Sequence, residues 1–181
     1  MTQTNEIILS GSGGQGLILA GQILAEAVIR DGKNTVQTQS YGPEARGGAS
    51  KAEVIISNGD IDYPKVTKPN IVLAMSQEAL NRYADKLDSN GTLIVDSTYV
   101  RTADQTGTRM ITAPFSRLAK ESLGKEMVAN VVALGALAAI TGVVSLDSLK
   151  QALLSRVPPG TENLNKKALE LGWKSARQAA A

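Results

Sequence analysis

Residues 8–27 read ILSGSGGQGLILAGQILAEA, an aliphatic run followed by clustered glycines and then by a helical pattern. Four of the six residues 11–16 are glycine. So many glycines cost conformational entropy on folding, unless the backbone there adopts a conformation or a close approach that a side chain would prevent. The spacing fits G-x-G-x-x-G, placed after a predicted strand (6–10) and opening a predicted helix (15–29), where this motif has meaning. The stretch predicts a strand–turn–helix unit whose turn faces a nucleotide, another phosphate-bearing cofactor or a neighbouring piece of protein.

Strands and helices alternate through the first part of the chain, and helices occupy the rest. Short aliphatic or β-branched runs predict strands at 35–40, 49–57, 70–75, 91–98 and 108–114, with a helix at 76–87 capped by Ser76. Helical spacing returns at 115–124, 126–142, 145–157 and 161–180. Continuous aliphatic strands are typical of a parallel sheet covered by helices. We therefore predict one α/β domain over 1–181, a three-layer, Rossmann-like fold with a mainly parallel sheet and a helical C-terminal part.

The composition argues against several kinds of chemistry. The 181 residues include neither cysteine nor histidine, so thiolate nucleophiles, cysteine-ligated clusters and the commonest general base and metal ligand are absent. The net charge of +2, without a basic block, gives no reason to expect a nucleic-acid partner. The N-terminus is polar and no apolar run reaches membrane-spanning length. We expect a cytoplasmic protein that binds neither membrane nor nucleic acid, with no metal site and no catalytic residue of its own.

The first candidate binding site is the glycine turn, Gly11, Ser12, Gly13, Gly14, Gln15 and Gly16. Backbone N–H groups at a helix N-terminus suit phosphate, and Gly13 is expected to need a positive φ or a close backbone approach. Dinucleotide folds also place a carboxylate at the end of the second strand. Gln39 and Ser40 stand there instead, so NAD and FAD are expected to bind weakly or not at all. The alternative is a tight turn that merely permits close packing.

The second candidate site is the loop in SYGPEARGGASKAEV (40–54), comprising Tyr41, Gly42, Pro43, Glu44, Arg46, Gly47 and Gly48. Because parallel strands end at one edge of a sheet, this loop should lie beside the glycine turn. Arg46 could donate a bidentate pair of hydrogen bonds to phosphate or carboxylate, or form a salt bridge to Glu44 or another loop. Tyr41 could stack on a ligand or anchor the loop, and the anchor is favoured.

Four segments together resemble one known family: GSGGQG (11–16), SYGPEARGGASKAEVIIS (40–57), MSQEAL (75–80) and NVVALGAL (130–137). They are similar to the gamma subunit of the 2-oxoacid:ferredoxin oxidoreductases, above all to the separate gamma chains of the 2-oxoglutarate enzyme. The same domain occurs within pyruvate:ferredoxin oxidoreductase and as the small subunit of indolepyruvate oxidoreductase. The resemblance implies 2-oxoglutarate as the substrate of the complex, with pyruvate, branched-chain 2-oxo acids and indolepyruvate as alternatives.

The resemblance also implies a division of labour among subunits. The complex decarboxylates a 2-oxo acid on thiamine diphosphate with Mg²⁺, sends electrons through Fe–S clusters to ferredoxin and passes the acyl group to coenzyme A. Thiamine diphosphate belongs to alpha and beta chains and the clusters to beta or delta chains. The gamma chain is then non-catalytic, binds none of these cofactors alone and is inactive by itself. Its glycine turn would contact coenzyme A or a partner, and its second loop would form the subunit interface beside the active site.

Two readings from other classes are a free-standing nucleotide-dependent oxidoreductase and a regulatory nucleotide-binding module. The lack of histidine, cysteine and a ribose-binding carboxylate counts against the first, and the SYGPEARGG motif counts against the second. The helix at 126–142 is small and apolar almost all round, so it should lie in the core or under another subunit, with the core favoured. Met75, after a buried strand, is also predicted to be core.

Overall fold

The computed structural model describes residues 4–41, 49–101 and 109–179. Its strands are β1 (Thr4–Ser12), β2 (Asn34–Ser40), β3 (Ala49–Ser57), β4 (Ile71–Ala74), β5 (Thr92–Asp96) and β6 (Arg109–Ala113). Its helices are α1 (Leu17–Arg30), α2 (Gln77–Tyr83), α3 (Phe115–Leu123), α4 (Ala129–Thr141), α5 (Leu146–Arg156) and α6 (Glu162–Ala179), with short 3₁₀ turns at Ala84–Lys86 and Glu126–Val128. Every strand and helix expected from the sequence is present; β3 has the expected ends and the other elements have ends that are shifted or, for the helix expected at 126–142, a 3₁₀ turn before the α-helix.

The six strands form one mixed sheet in the order β2-β3-β1-β4-β5-β6. β1, β4, β5 and β6 pair in parallel, which confirms the mainly parallel sheet. β3 is antiparallel to both of its neighbours, β1 and β2. The sequence did not predict this reversal, because a buried aliphatic strand reads the same in either direction. Since β3 runs backwards, β2 ends at the same edge of the sheet as β1.

Helices cover the two faces of the sheet unequally. Ile7 and Leu9 of β1 point into a large core shared with α1, α3, α4, α5 and α6, whereas Ile8 points into a smaller core under α2. This alternation follows from the two-residue repeat of a strand. The result is three layers, as expected. Within the described ranges, none of the helices is both long and apolar enough to cross a bilayer.

α4 lies in the middle of the large core. Every residue from Ala129 to Ala138 is buried, and Met75 is fully buried too, so the core prediction is confirmed for Met75 and for the body of the helix, whereas Met127 at its start is exposed. A Cβ built on Gly135 would lie 2.2 Å from the Leu169 carbonyl oxygen, and one on Gly172 would lie 1.8 Å from the Val132 carbonyl oxygen. α4 and α6 therefore touch backbone to backbone.

Candidate functional site

The glycine turn joins β1 to α1 at the carboxyl edge of the sheet. β1 continues to Ser12, so the first two residues of the motif are strand rather than turn. Gly14 and Gly16 adopt left-handed conformations with φ of 87° and 73°, and Gly16 is the N-cap of α1. Gly13 is not in this region, so the first alternative expected for Gly13, a positive φ, is wrong, and the second, a close backbone approach, stays a prediction. The left-handed turns that need glycine occur one and three residues later.

Gln15 fastens the turn with its side-chain amide. Its Oε1 accepts a hydrogen bond from the Ser12 N–H at 2.7 Å, and its Nε2 donates to the Met75 carbonyl oxygen at 3.2 Å. A Cβ on Gly11 would lie 2.3 Å from Gln15 Oε1, so the close approach of this amide requires glycine at 11. The amide lies where β1 and β4 diverge, the usual ligand-binding crevice of such sheets.

A second amide reaches the turn from α4. Asn130 Nδ2 donates to the Gly16 carbonyl oxygen at 3.0 Å, and a Cβ on Gly16 would come within 2.5 Å of that same nitrogen. Asn130 is only 5% exposed. Its Oδ1 is buried without a hydrogen-bond partner in the described part of the chain. The sequence analysis assigned no role to Asn130, although it begins the NVVALGAL segment.

A cavity of about 250 Å³ opens beside the turn and is lined by Gly14, Gln15, Met75, Ser116, Glu126, Met127 and Ala129. A neighbouring cavity of about 380 Å³ shares Ser116 and Glu126 and adds Thr98, Tyr99, Arg117, Lys120 and Glu121. The Tyr99 hydroxyl donates to the Glu126 carboxylate, and this hydrogen bond raises the pKa of Tyr99. Met127, on the rim, is 79% exposed. The first cavity is therefore lined by apolar side chains and the Glu126 carboxylate, and the neighbouring cavity adds the cations Arg117 and Lys120 and the carboxylate Glu121.

Asp96 holds Ser116, which lines both cavities, and sequence reasoning missed it. It ends β5 and is fully buried. Its Oδ1 accepts from the Thr98 N–H at 3.0 Å, and its Oδ2 accepts from the Ser116 N–H at 3.2 Å and the Ser116 hydroxyl at 2.5 Å. These bonds hold the first turn of α3 against the sheet edge. The sequence signal that could have pointed to Asp96 is a single carboxylate at the end of an otherwise aliphatic strand.

Tyr41 lies beside the glycine turn, as the sequence predicts for the start of the second loop. It lines a third cavity, of about 260 Å³, together with Gly13, Gly14, Gly16, Leu17, Ile18 and Ser50. Tyr41 is 71% exposed, and whether it anchors the loop or stacks on a ligand stays a prediction. The other candidate residues of this loop, Gly42, Pro43, Glu44, Arg46, Gly47 and Gly48, lie outside the described residues.

All four segments that carry the family resemblance reach the same sheet edge. The glycine turn contacts MSQEAL through Gln15 and Met75 and contacts NVVALGAL through Gly16 and Asn130. The second loop leads into β3 at Ala49, which pairs with Ser12 at the end of the neighbouring strand β1. The Ala49 N–H also donates to a Glu78 carboxylate oxygen at 3.4 Å. Segments far apart in sequence thus build one surface.

Fold and site together define an α/β domain with a glycine-rich turn at the carboxyl edge of its sheet. Within the described ranges, no three acidic, histidine or cysteine side chains are grouped as metal ligands. The model of the pyruvate ferredoxin/flavodoxin oxidoreductase family matches residues 6–175. The chain belongs to this family.

Relatives and a solved structure agree with that membership. The chain is 51% identical over 174 residues to 2-oxoglutarate synthase subunit KorC of Methanothermobacter marburgensis, covering 92% of this chain and 94% of the relative. It is 48% identical over 176 residues to the subunit of the same name from Methanocaldococcus jannaschii, covering 96% and 94%. The crystal structure of the keto/oxoacid ferredoxin oxidoreductase gamma subunit from Geobacter sulfurreducens superposes with a TM-score of 0.90 at 48% identity, covering 98% of both chains. The resemblance to gamma subunits is thereby confirmed.

Proposed function

We propose that this chain is the gamma subunit of a 2-oxoglutarate:ferredoxin oxidoreductase. The observation that carries the proposal is its identity of about one half, over nearly the full length of both chains, to 2-oxoglutarate synthase subunits. The high structural similarity to a gamma subunit supports the same role. These relatives favour 2-oxoglutarate over pyruvate, branched-chain 2-oxo acids and indolepyruvate. They also favour a complex subunit over a free-standing oxidoreductase or a regulatory nucleotide-binding module.

The chemistry of the complex is assigned to partner chains. Thiamine diphosphate with Mg²⁺ belongs on alpha and beta subunits, and Fe–S clusters that pass electrons to ferredoxin belong on beta or delta subunits. The sequence supports this division, because a chain without cysteine cannot ligate a cluster through thiolates. The gamma chain then oxidises nothing by itself and works in a cytoplasmic hetero-oligomer.

The glycine turn, residues 11–16, is the region that would contact coenzyme A and the partner subunit that covers it. The N-cap of α1, Gly16, provides no side-chain cap, and the first turn has no acidic residue, so the first N–H groups of α1 are available to a phosphate. The first cavity contributes a carboxylate, Glu126, rather than a cation. Positive charge for coenzyme A phosphates would therefore come from the end of α1, from Arg117 and Lys120 in the neighbouring cavity, from Arg46 or from the partner chain.

Reconstitution tests the proposal. The chain is coexpressed with the alpha, beta and delta subunits from the same source, and reduction of ferredoxin is followed with 2-oxoglutarate and coenzyme A. We expect turnover that needs all subunits and prefers 2-oxoglutarate to pyruvate and to branched-chain 2-oxo acids. A complex that prefers another 2-oxo acid would refute the substrate assignment. Turnover by this chain alone, or cluster absorbance in it, would refute the division of labour.

A further inference from the structure

Asn130 is a buried amide whose acceptor oxygen has no hydrogen-bond partner in the described part of the chain. Its Nδ2 donates to the Gly16 carbonyl oxygen, but its Oδ1 is buried and finds no partner in the described residues. Leaving a buried acceptor unsatisfied costs about 1–3 kcal/mol. The hydrogen bond to Gly16 accounts for the Nδ2 end of the amide, but no contact with the described residues accounts for its buried Oδ1.

The contact partner of Asn130 is the residue that ends the glycine turn. The Gly16 carbonyl oxygen accepts both the Asn130 amide and the Ala20 N–H, the latter at 3.1 Å as the first helical hydrogen bond of α1. Gly16 is left-handed, and a Cβ there would collide with the Asn130 amide. The glycine and the asparagine therefore fit each other, and Asn130 fixes where α1 starts.

The same hydrogen bond joins the two walls of the first cavity. Gly14 and Gln15 line one wall, directly before Gly16 in the chain, and the segment ending in Ala129 lines the other, directly before Asn130. Met127 on that second wall is largely exposed. A shift in the Gly16–Asn130 contact would therefore change the spacing of the walls and the aim of the N–H groups at the start of α1.

We propose that Asn130 is a positioning residue for coenzyme A: it holds the glycine turn and residues 126–129 in the arrangement that the bound coenzyme meets. This inference rests on the proposed function. Asn130 acts through Gly16 and is not a catalytic residue. Replacing Asn130 should therefore weaken coenzyme A binding more than it slows the chemistry on the partner subunits.

Asn165 supplies a matched control. It is also a buried asparagine, 7% exposed, and its Nδ2 donates to the carbonyl and hydroxyl oxygens of Thr161 at 3.0 Å each. It lies on α6 and does not line the cavity. Asn130→Ala and Asn165→Ala should both lower the melting temperature of the chain. In the assembled complex, Asn130→Ala alone should raise KM for coenzyme A, by roughly five- to tenfold, the scale of one hydrogen bond, with kcat within about twofold of wild type.

Asn130→Asp gives a readout that loss of stability would not produce. A protonated aspartic acid can still donate to the Gly16 carbonyl oxygen, whereas an ionised one cannot, and burial favours the protonated form. We expect KM for coenzyme A of this variant to fall towards the wild-type value as the pH is lowered, relative to the wild-type complex at each pH.

The outcomes separate the two proposals. If wild type, Asn130→Ala and Asn165→Ala share one KM for coenzyme A, Asn130 is structural and the inference is overturned. It is equally overturned if Asn130→Ala loses its partner subunits while the remaining complex keeps the wild-type KM. If the wild-type complex needs no coenzyme A, the proposed function itself has failed, and the inference falls with it.

Discussion

The Gln15 side-chain nitrogen donates a hydrogen bond to the Met75 carbonyl oxygen across 3.2 Å, and so ties the turn after β1 to the end of β4. The other end of the same amide accepts from the Ser12 N–H. One side chain therefore closes the turn on itself and spans the crevice between two parallel strands. A residue that the sequence suggested for cofactor binding also has a structural task, which any mutational study of the site must separate from ligand contact.

Gln15→Glu isolates that task, because it keeps the shape and the acceptor but replaces the donor to Met75 with a second oxygen. Two oxygens then face each other, and the free energy of unfolding should fall by about 1–2 kcal/mol. Chemical denaturation of the full-length chain measures the change. Gln151→Glu, at an exposed side chain that accepts from Arg30, is the control and should not destabilise. Equal effects of the two variants would show that the Gln15–Met75 contact contributes little.

Gly14→Ala and Gly16→Ala separate backbone strain from collision. Both residues have positive φ, but a Cβ at 14 has open space around it, whereas one at 16 meets the Asn130 amide at 2.5 Å. Gly14→Ala should cost about 1 kcal/mol for its left-handed conformation, and Gly16→Ala should cost clearly more. Thermal unfolding of both variants compares them directly. Equal losses would mean that the Asn130 side chain moves aside freely.

The crossing of α4 and α6 should tolerate no side chain at its two glycines. Gly172→Ala places a methyl group against the backbone of Val132, so the helices must separate. We expect a loss of about 1–3 kcal/mol or more, although alanine is the better helix former. Gly160→Ala, where φ is positive but the surroundings are open, is the control for strain without collision. A Gly172→Ala chain as stable as wild type would contradict the close crossing.

Glu26 links α1 to α5 by accepting hydrogen bonds from Arg30, Ser155 and Arg156. Burial raises the pKa of Glu26, but these hydrogen bonds outweigh burial and lower it below the ordinary 4.5. A folded-state pKa below the unfolded one gives stability that is complete above pH 4.5 and disappears as the pH falls through the lowered value.

The test is the melting temperature of Glu26→Gln against pH. The variant should melt below wild type at pH 7, and the difference should shrink as the pH falls below about 4.5, where the wild-type carboxylate becomes protonated. Glu121→Gln, at an exposed site on α3, should follow wild type throughout. A gap between Glu26→Gln and wild type that stayed constant down to pH 3 would show that the charge of Glu26 is irrelevant.

The sequence predicted what depends on local pattern. Aliphatic runs located every strand, and the apolar character of 126–142 placed α4 in the core, because burial leaves its mark on consecutive residues. The amide contacts of Gln15 and Asn130 were missed, since they join residues 60 and 114 positions apart. The backbone crossing at Gly135 and Gly172 was missed for the same reason. The direction of β3 depends on how a connection folds back, which no alternation of residue types records.

Arg46 remains the sharpest prediction that rests on sequence, because it lies outside the described residues, between Tyr41 at the glycine turn and Ala49 paired with Ser12. Its guanidinium could bind a phosphate or carboxylate in the complex, or it could tie down its own loop. Arg46→Ala removes the planar donor fork, and Arg46→Lys keeps the charge without the fork.

If Arg46 serves coenzyme A or the active-site interface, Arg46→Ala should lower the activity of the reconstituted complex by more than about tenfold, or ~1.4 kcal/mol, as expected for a charge-assisted hydrogen bond. Arg46→Lys should recover part of that loss, and the melting temperature of the chain should hardly change. Arg82→Ala, at an exposed arginine on α2, controls for loss of a surface charge. If complex activity is unchanged while the melting temperature of Arg46→Ala falls, the arginine belongs to the structure of its loop and the functional assignment is wrong.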